Sequence, residues 1–192
     1  MKHTLSKPKE WVDKYGDYLY SFAFFRLQDD ILAQDLVQET LVAALKAKDN
    51  FKGTASEKTW MTGIMKHKII DAIRKKYREI AVEDKVADFR ARENTSEEKG
   101  MLKAGPADWA SNPEQLLNQK DFLAVVTVCL KELPDRPRKA LSMRELDGET
   151  TSAICKVLNI SSTNAWVILH RARVLMRKCI EAKWMEEKES AK

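Results

Sequence analysis

Apolar residues recur at i, i+3 and i+4 in nearly every segment of this 192-residue chain, and strand-like alternation of apolar with polar residues is almost absent. That periodicity gives each segment one apolar stripe when it coils into a helix, and no usable face as a strand. Glycine (6) and proline (5) are scarce, so few positions interrupt the helices. The expected fold class is all-α. The exception is Glu79 to Gln119, where Gly100, Gly105, Pro106 and Pro113 break a polar stretch before any long stripe develops. The chain is therefore expected to form two small helical domains, residues 10–80 and 120–186, joined by a flexible linker at 81–119.

Charge follows the same division. The stretch from Glu79 to Gln119 carries nine acids against five bases, net −4, so the chain's formal +5 becomes +9 in the two flanking modules. Segregation of that kind permits a polyanionic partner for the modules. The longest apolar run, Phe122 to Leu130, is about half of what a membrane-spanning helix needs, and MKHTLSKPKEW lacks an apolar signal core. A soluble, cytoplasmic chain without membrane insertion is expected. Cys129, Cys155 and Cys179 are odd in number, widely spaced and on apolar helical positions, which favours reduced core thiols. His3, His67 and His170 are equally scattered, so neither a metal site nor a cofactor is expected.

In the first module, DDILAQDLVQETLVAALKAKDNF places Leu36, Val37, Leu41, Ala44 and Leu45 on one helical face. Asp35, Gln38, Glu39 and Val42 follow i, i+3, i+4, i+7 on another, either as an ordinary solvated stripe or as a docking surface. Next comes NFKGTASEKTWMTGIMKHKIIDAIRKKYRE. Gly53 allows a tight turn there, and Thr54 or Ser56 can cap a helix starting near Glu57. Met61, Ile64, Met65, Ile69, Ala72 and Ile73 supply its buried face, and Lys58, Lys66, Lys68, Arg74, Lys75, Lys76 and Arg78 its charge. A basic helix of this kind neutralises phosphates, and aromatic rings near it can stack on unpaired bases for about 1–3 kcal/mol each. Phe51 and Trp60 suit a core as well as a stacking platform, whereas Tyr77, among charges, is expected in solvent.

The second module reads LKELPDRPRKALSMRELDGETTSAICKVLNISSTNAWVILHRARVLMRKCIEAKW. A helix from about Pro137 to Leu146 ends at Gly148, which suits a left-handed C-cap, and a short helix runs from Thr151 to Leu158. Asn159 and Ile160 turn the chain, and Ser161 or Ser162 caps the next helix. Ala153, Ile154, Leu158, Ile160, Ala165 and Leu169 form the packing set of a helix-turn-helix, with a plain helical hairpin as the alternative. In a helix-turn-helix the second helix enters the major groove. Thr163, Asn164, Trp166, Val167 and His170 then face bases, and Arg171, Arg173, Arg177 and Lys178 mostly face phosphate. Cys179 and Trp184 can anchor the last helix or meet a partner.

AQDLVQETLVAAL, FKGTASEKTWMTGIMKHKIIDAIRKK and LPDRPRKALSMRELDGETTSAICKVLNISSTN with LHRAR, in that order, resemble regions 2 and 4 of a sigma factor. The absence of regions 1 and 3 resembles the small extracytoplasmic-function (ECF) class. That resemblance implies a non-enzymatic transcription-initiation subunit binding core RNA polymerase and promoter DNA, with an anti-sigma factor as further partner. It implies that Asp35, Gln38, Glu39 and Val42 dock on the clamp helices of the largest polymerase subunit. Asn50, Phe51, Lys52, Trp60, Lys66, Arg74, Lys75, Lys76 and Tyr77 would hold the opened "minus 10" strand. Lys120 to Leu146 would grip the flap of the second-largest subunit, while Ser162, Thr163, Asn164, Trp166, Val167, His170, Arg171 and Arg173 would read "minus 35" duplex. By the same analogy the acidic linker would thread toward the RNA path. Trp166 and Val167 depart from the basic or small polar residues usual there. A helix-turn-helix regulator that is not a polymerase subunit, and a purely protein-binding adaptor, are the rival readings.

Overall fold

The structure, a computed structural model, describes residues 3–83 and 120–190. Among these residues there are seven α-helices, two 3-10 turns (Pro8–Glu10 and Lys48–Asn50) and no strand. The chain divides into two compact units, Met1–Arg78 and Glu79–Lys192. Of the expected linker at 81–119, residues 81–83 continue the third helix, and 84–119 lie outside the described residues.

In the first unit, α1 (Trp11–Leu27) and α2 (Asp30–Ala47) pack along each other after a two-residue turn. Gln28 makes that turn at φ +52, its N–H donating to the Phe24 carbonyl at 2.8 Å. Asp29 caps α2 by accepting from Leu32 N at 3.1 Å. Ala33, Leu36, Thr40 and Ala44 are the buried positions of α2, so the helix turns Leu45 outward at 48% exposure, correcting its expected place in the packing face. The Thr40 hydroxyl on that buried stripe donates from Oγ1 to Met65 Sδ, in the helix that follows, at 3.6 Å.

α3 (Glu57–Glu83) is capped by Ser56, whose Oγ accepts from Thr59 N at 3.1 Å. Its buried stripe is Met61, Met65, Ile69, Ile73 and Tyr77, one residue every four. Tyr77 is 3% exposed, which corrects both its expected place in solvent and its assignment to DNA. Lysines and arginines surround it in sequence, but the four-residue period carries its ring onto the apolar face.

In the second unit, α4 (Lys120–Glu132), α5 (Asp135–Glu145) and α6 (Thr151–Leu158) each pack on α7 (Ser162–Ser190). α5 begins at Asp135, directly after Pro134 and two residues before the expected Pro137. Gly148 at φ +69 follows α5, and Glu149 N donates back to the Met143 carbonyl at 2.9 Å. Ile154, Val157, Leu158, Ala165, Ile168, Leu169 and Ala172 are the buried set where α6 meets α7.

At the far end of α7, Phe122, Val125, Cys129 and Ile180 form a separate apolar cluster joined by Met176, Cys179 and Trp184. Trp184 meets Phe122 edge-on at 5.3 Å, so it anchors the last helix. The expectation of reduced thiols is overturned here: Cys129 and Cys179 form a disulfide across a Cα separation of 5.7 Å, leaving Cys155 free. Helix packing, which brings α4 against α7, puts two cysteines 50 residues apart within bridging range. Above the bridge, Glu132 accepts from Lys183 Nζ at 3.0 Å. Its other oxygen touches Cys179 Sγ at 3.3 Å, a contact and not a hydrogen bond, since a disulfide sulfur carries no proton.

Candidate nucleic-acid interface

The burial of Ala33, Leu36, Thr40 and Ala44 leaves Asp35, Gln38, Glu39 and Val42 together on the exposed side of α2. Ile31 (75% exposed), Val42 (51%) and Leu45 extend that side as apolar surface. A carboxylate and amide stripe edged by exposed aliphatics has the composition of a protein-docking face. Glu39 also reaches α3, where its Oε2 accepts from Lys68 Nζ at 2.9 Å.

Between α2 and α3 the loop from Phe51 to Ser56 carries Lys52 in solvent, with Asn50 exposed just before it. Phe51 and Trp60 are half-buried and pack on each other at 5.1 Å, and Trp60 meets Trp11 edge-on at 6.3 Å. Both rings are thus partly buried against aromatic neighbours and partly exposed. Farther along α3, Lys75 and Lys76 are exposed, Lys66 is half-buried, and Arg74 pairs with Asp71 at 3.0 Å. All four lie on the same helix as Trp60, beyond the loop.

Sequence reasoning missed the residue that ties this loop down. Glu57, the first residue of α3, is 9% exposed and accepts four hydrogen bonds: Ser6 N and Trp11 Nε1 to Oε1, each 2.8 Å, and Ser6 Oγ and Tyr15 Oη to Oε2, at 2.8 and 2.7 Å. An acid in the first turn of a helix is ordinary by sequence, and its donors lie 42 to 51 residues upstream. Only the polar and aromatic run Ser6, Trp11, Tyr15 hints at them.

Burial pushes the Glu57 carboxyl up, but the bonds from Tyr15, Ser6 and Trp11 outweigh it and hold the group below the ordinary value. Tyr15 is pushed up to about 12 by its bond to Glu57, by burial and by the adjacent charge. A carboxyl that titrates lower when folded stabilises fully above its unfolded pKa, about 4.3, and loses that contribution as pH falls through the folded value. For Tyr15 the sign is reversed: the contribution is whole below about 10 and fades as pH rises through its folded value. Thermal unfolding followed from pH 7 to 3 should fall more steeply below about pH 4.3 for the wild type than for Glu57→Gln. Parallel curves would contradict the hub.

In the second unit, Thr150 Oγ1 caps α6 by accepting from Ala153 N at 3.2 Å, and Asn159 ends it at φ +52. Ser161 Oγ then caps α7 by accepting from Asn164 N at 3.2 Å, leaving Ser162 outside that role. With Ala165, Ile168, Leu169 and Ala172 buried, the opposite side of α7 brings Thr163, Trp166, Val167 and His170 together. Asn164 and Arg171 flank it on one side, Ser162 and Arg173 on the other. Trp166 is 68% exposed and stacks on His170, rings 5.4 Å apart and 21° from parallel. Arg173 is paired with Glu145 of α5 at 2.7 Å; both are half-exposed, and such a pair contributes little and yields readily to a phosphate.

Among the described residues no group of three or more His, Cys, Asp or Glu is placed to hold a metal, and no helix is long and apolar enough to cross a membrane. The family description for sigma-70 region 2 matches residues 11–79, and that for sigma-70 region 4 matches 123–176. A probable RNA polymerase sigma factor of Haemophilus influenzae is 32% identical over 167 residues, covering 86% of this chain and 85% of that protein. The ECF RNA polymerase sigma factor SigX of Bacillus subtilis is 25% identical over 177 residues, covering 88% and 81%. Among solved structures, the sigma factor RpoE in complex with the anti-sigma factor NepR from Bartonella quintana matches with a TM-score of 0.45 and 21% identity, covering 90% of this chain and 96% of that one.

Proposed function

The chain belongs to the sigma-70 family as an ECF sigma factor, which directs RNA polymerase to promoters, and on that premise we propose how its two units divide the work. Residues 10–80 act as region 2: Asp35, Gln38, Glu39 and Val42 dock on the largest polymerase subunit. Asn50, Phe51, Lys52, Trp60, Lys66, Arg74, Lys75 and Lys76 hold the opened minus 10 strand. Residues 120–186 act as region 4, with Lys120 to Leu146 on the flap and the exposed face of α7 on minus 35 duplex. Residues 81–119 are the connecting linker. The chain works in the cytoplasm as an initiation factor without catalysis of its own, and an anti-sigma factor covers its polymerase-binding faces until a signal releases it.

The observation that carries this reading is the order of the two matched regions on one chain, region 2 before region 4. A stand-alone regulator has no use for the first. Purified chain added to core polymerase should start transcription at defined promoters, recoverable by mapping transcripts after overproduction. Absence of binding to core would sink the assignment of the docking face.

On the region 4 side, Trp166 offers apolar area to a thymine methyl or a sugar edge and no fork of donors to a guanine. Trp166→Ala is expected to relax sequence preference at one or two positions by about 1–3 kcal/mol. Arg171→Ala should weaken duplex binding as well. Unchanged affinity for both selected and scrambled duplexes in an equilibrium titration would rule these roles out.

A further inference from the structure

Glu57 does not serve its own helix, because Ser56 already supplies the cap of α3. Its four donors all come from Ser6, Trp11 and Tyr15, so both carboxylate oxygens are committed to the segment that precedes and opens α1. A second tie lies in the middle of the loop. His3 N donates to the Gly53 carbonyl at 3.1 Å, and Gly53 sits at φ +70 with the His3 carbonyl where a side chain would be: a Cβ there would come within 2.6 Å of it. The amino-terminal segment from His3 to Trp11 thus lies as a strap against the loop at Gly53 and against its exit at Glu57.

The loop from Phe51 to Ser56 has no regular structure of its own to fix it. A third link runs through rings: the indole that donates to Glu57 meets Trp60, and Trp60 packs on Phe51, a loop residue. Glu57, Trp11, Trp60 and Phe51 therefore form one connected chain of contacts from strap to loop. A loop that must seat an unstacked base gains from being shaped in advance, since ordering it at the moment of capture would oppose binding.

We propose that Glu57 is a positioning residue for promoter opening: by clamping the amino-terminal strap, it preshapes the Phe51–Ser56 loop that receives an unpaired minus 10 base. This rests on the assignment of that loop to the opened strand. The strap is then part of the strand-capture apparatus rather than a passive leader to α1. Its carboxylate is the required chemistry, because two oxygens must accept from four donors. An amide keeps the size but replaces one acceptor by a donor.

The test uses holoenzyme reconstituted from full-length chain and core polymerase. Its probe is a non-template oligonucleotide enriched from a random pool by the wild-type holoenzyme, with a scrambled version as control. Glu57→Gln is expected to reduce the preference for the selected oligonucleotide about tenfold, while affinity for core and for minus 35 duplex stays within about twofold. Gly53→Ala, which strains the loop at φ +70 and crowds the His3 carbonyl while leaving the Glu57 side chain in place, should reproduce that split. Retained preference in Glu57→Gln would overturn the inference, whatever Gly53→Ala does. So would an equal loss of core binding, which would mark a purely structural role. A wild-type holoenzyme that bound both oligonucleotides alike would overturn the loop assignment and this inference with it.

Discussion

Replacing Glu39 with lysine should lower affinity for core polymerase by about 2–4 kcal/mol, on the order of 30- to 700-fold, while binding of the chain to minus 35 duplex stays unchanged. Glu39 is at the centre of the exposed stripe between Asp35 and Val42, so on the proposed docking a reversed charge would meet the partner directly. The variant also loses the ion pair to Lys68 and places two lysines together. That pair is exposed at 35% and 55%, so the cost to folding is within about 1 kcal/mol and the fold survives. Titrating labelled core with wild type and variant measures the first effect, and duplex titration checks the second. Equal losses in the two assays would contradict the separation of roles between α2 and α7.

Opening the Cys129–Cys179 bridge should destabilise the second unit by up to about 4 kcal/mol. The bridge closes a 50-residue loop, and the chain entropy of the unfolded state rises by roughly that amount when it is cut. For a domain of this size each kcal/mol moves Tm by about 4–8 °C, so reductant should shift the melting of the second unit by more than about 10 °C. The first unit contains no cysteine and should melt as before. A Cys129→Ser, Cys179→Ser double variant should melt alike with and without reductant. Thiol titration of the denatured, unreduced chain should find Cys155 alone. Three thiols, or a reductant-independent wild type, would remove the bridge from the account.

The helix boundaries that depend on local chemistry are legible in the sequence. Ser56 before Glu57, Thr150 before Thr151, Ser161 before Ser162 and Asn159 after Leu158 are caps and stops whose mechanism needs only their near neighbours. The exposed stripe of α2 and the helix-turn-helix face of α7 follow from periodicity in the same way. Tyr77 and Leu45 went astray where composition was weighed above period. Tyr77 stands among bases yet continues the four-residue stripe from Met61, and Leu45 is apolar yet follows Ala44 out of the face.

Cys129 with Cys179, and Glu57 with Ser6, Trp11 and Tyr15, belong to a different class. Their partners are separated by 42 to 51 residues, and no local rule relates them. By itself the sequence determined an all-α chain in two units, the faces each helix shows, and the family motifs those faces carry, because helical period and capping act within one or two turns. Tertiary structure alone decided which cysteines bridge, which carboxylate is buried and satisfied, and how the loop before α3 is held. Those outcomes depend on which helix packs against which, and on where that packing brings distant donors and sulfurs within bonding distance.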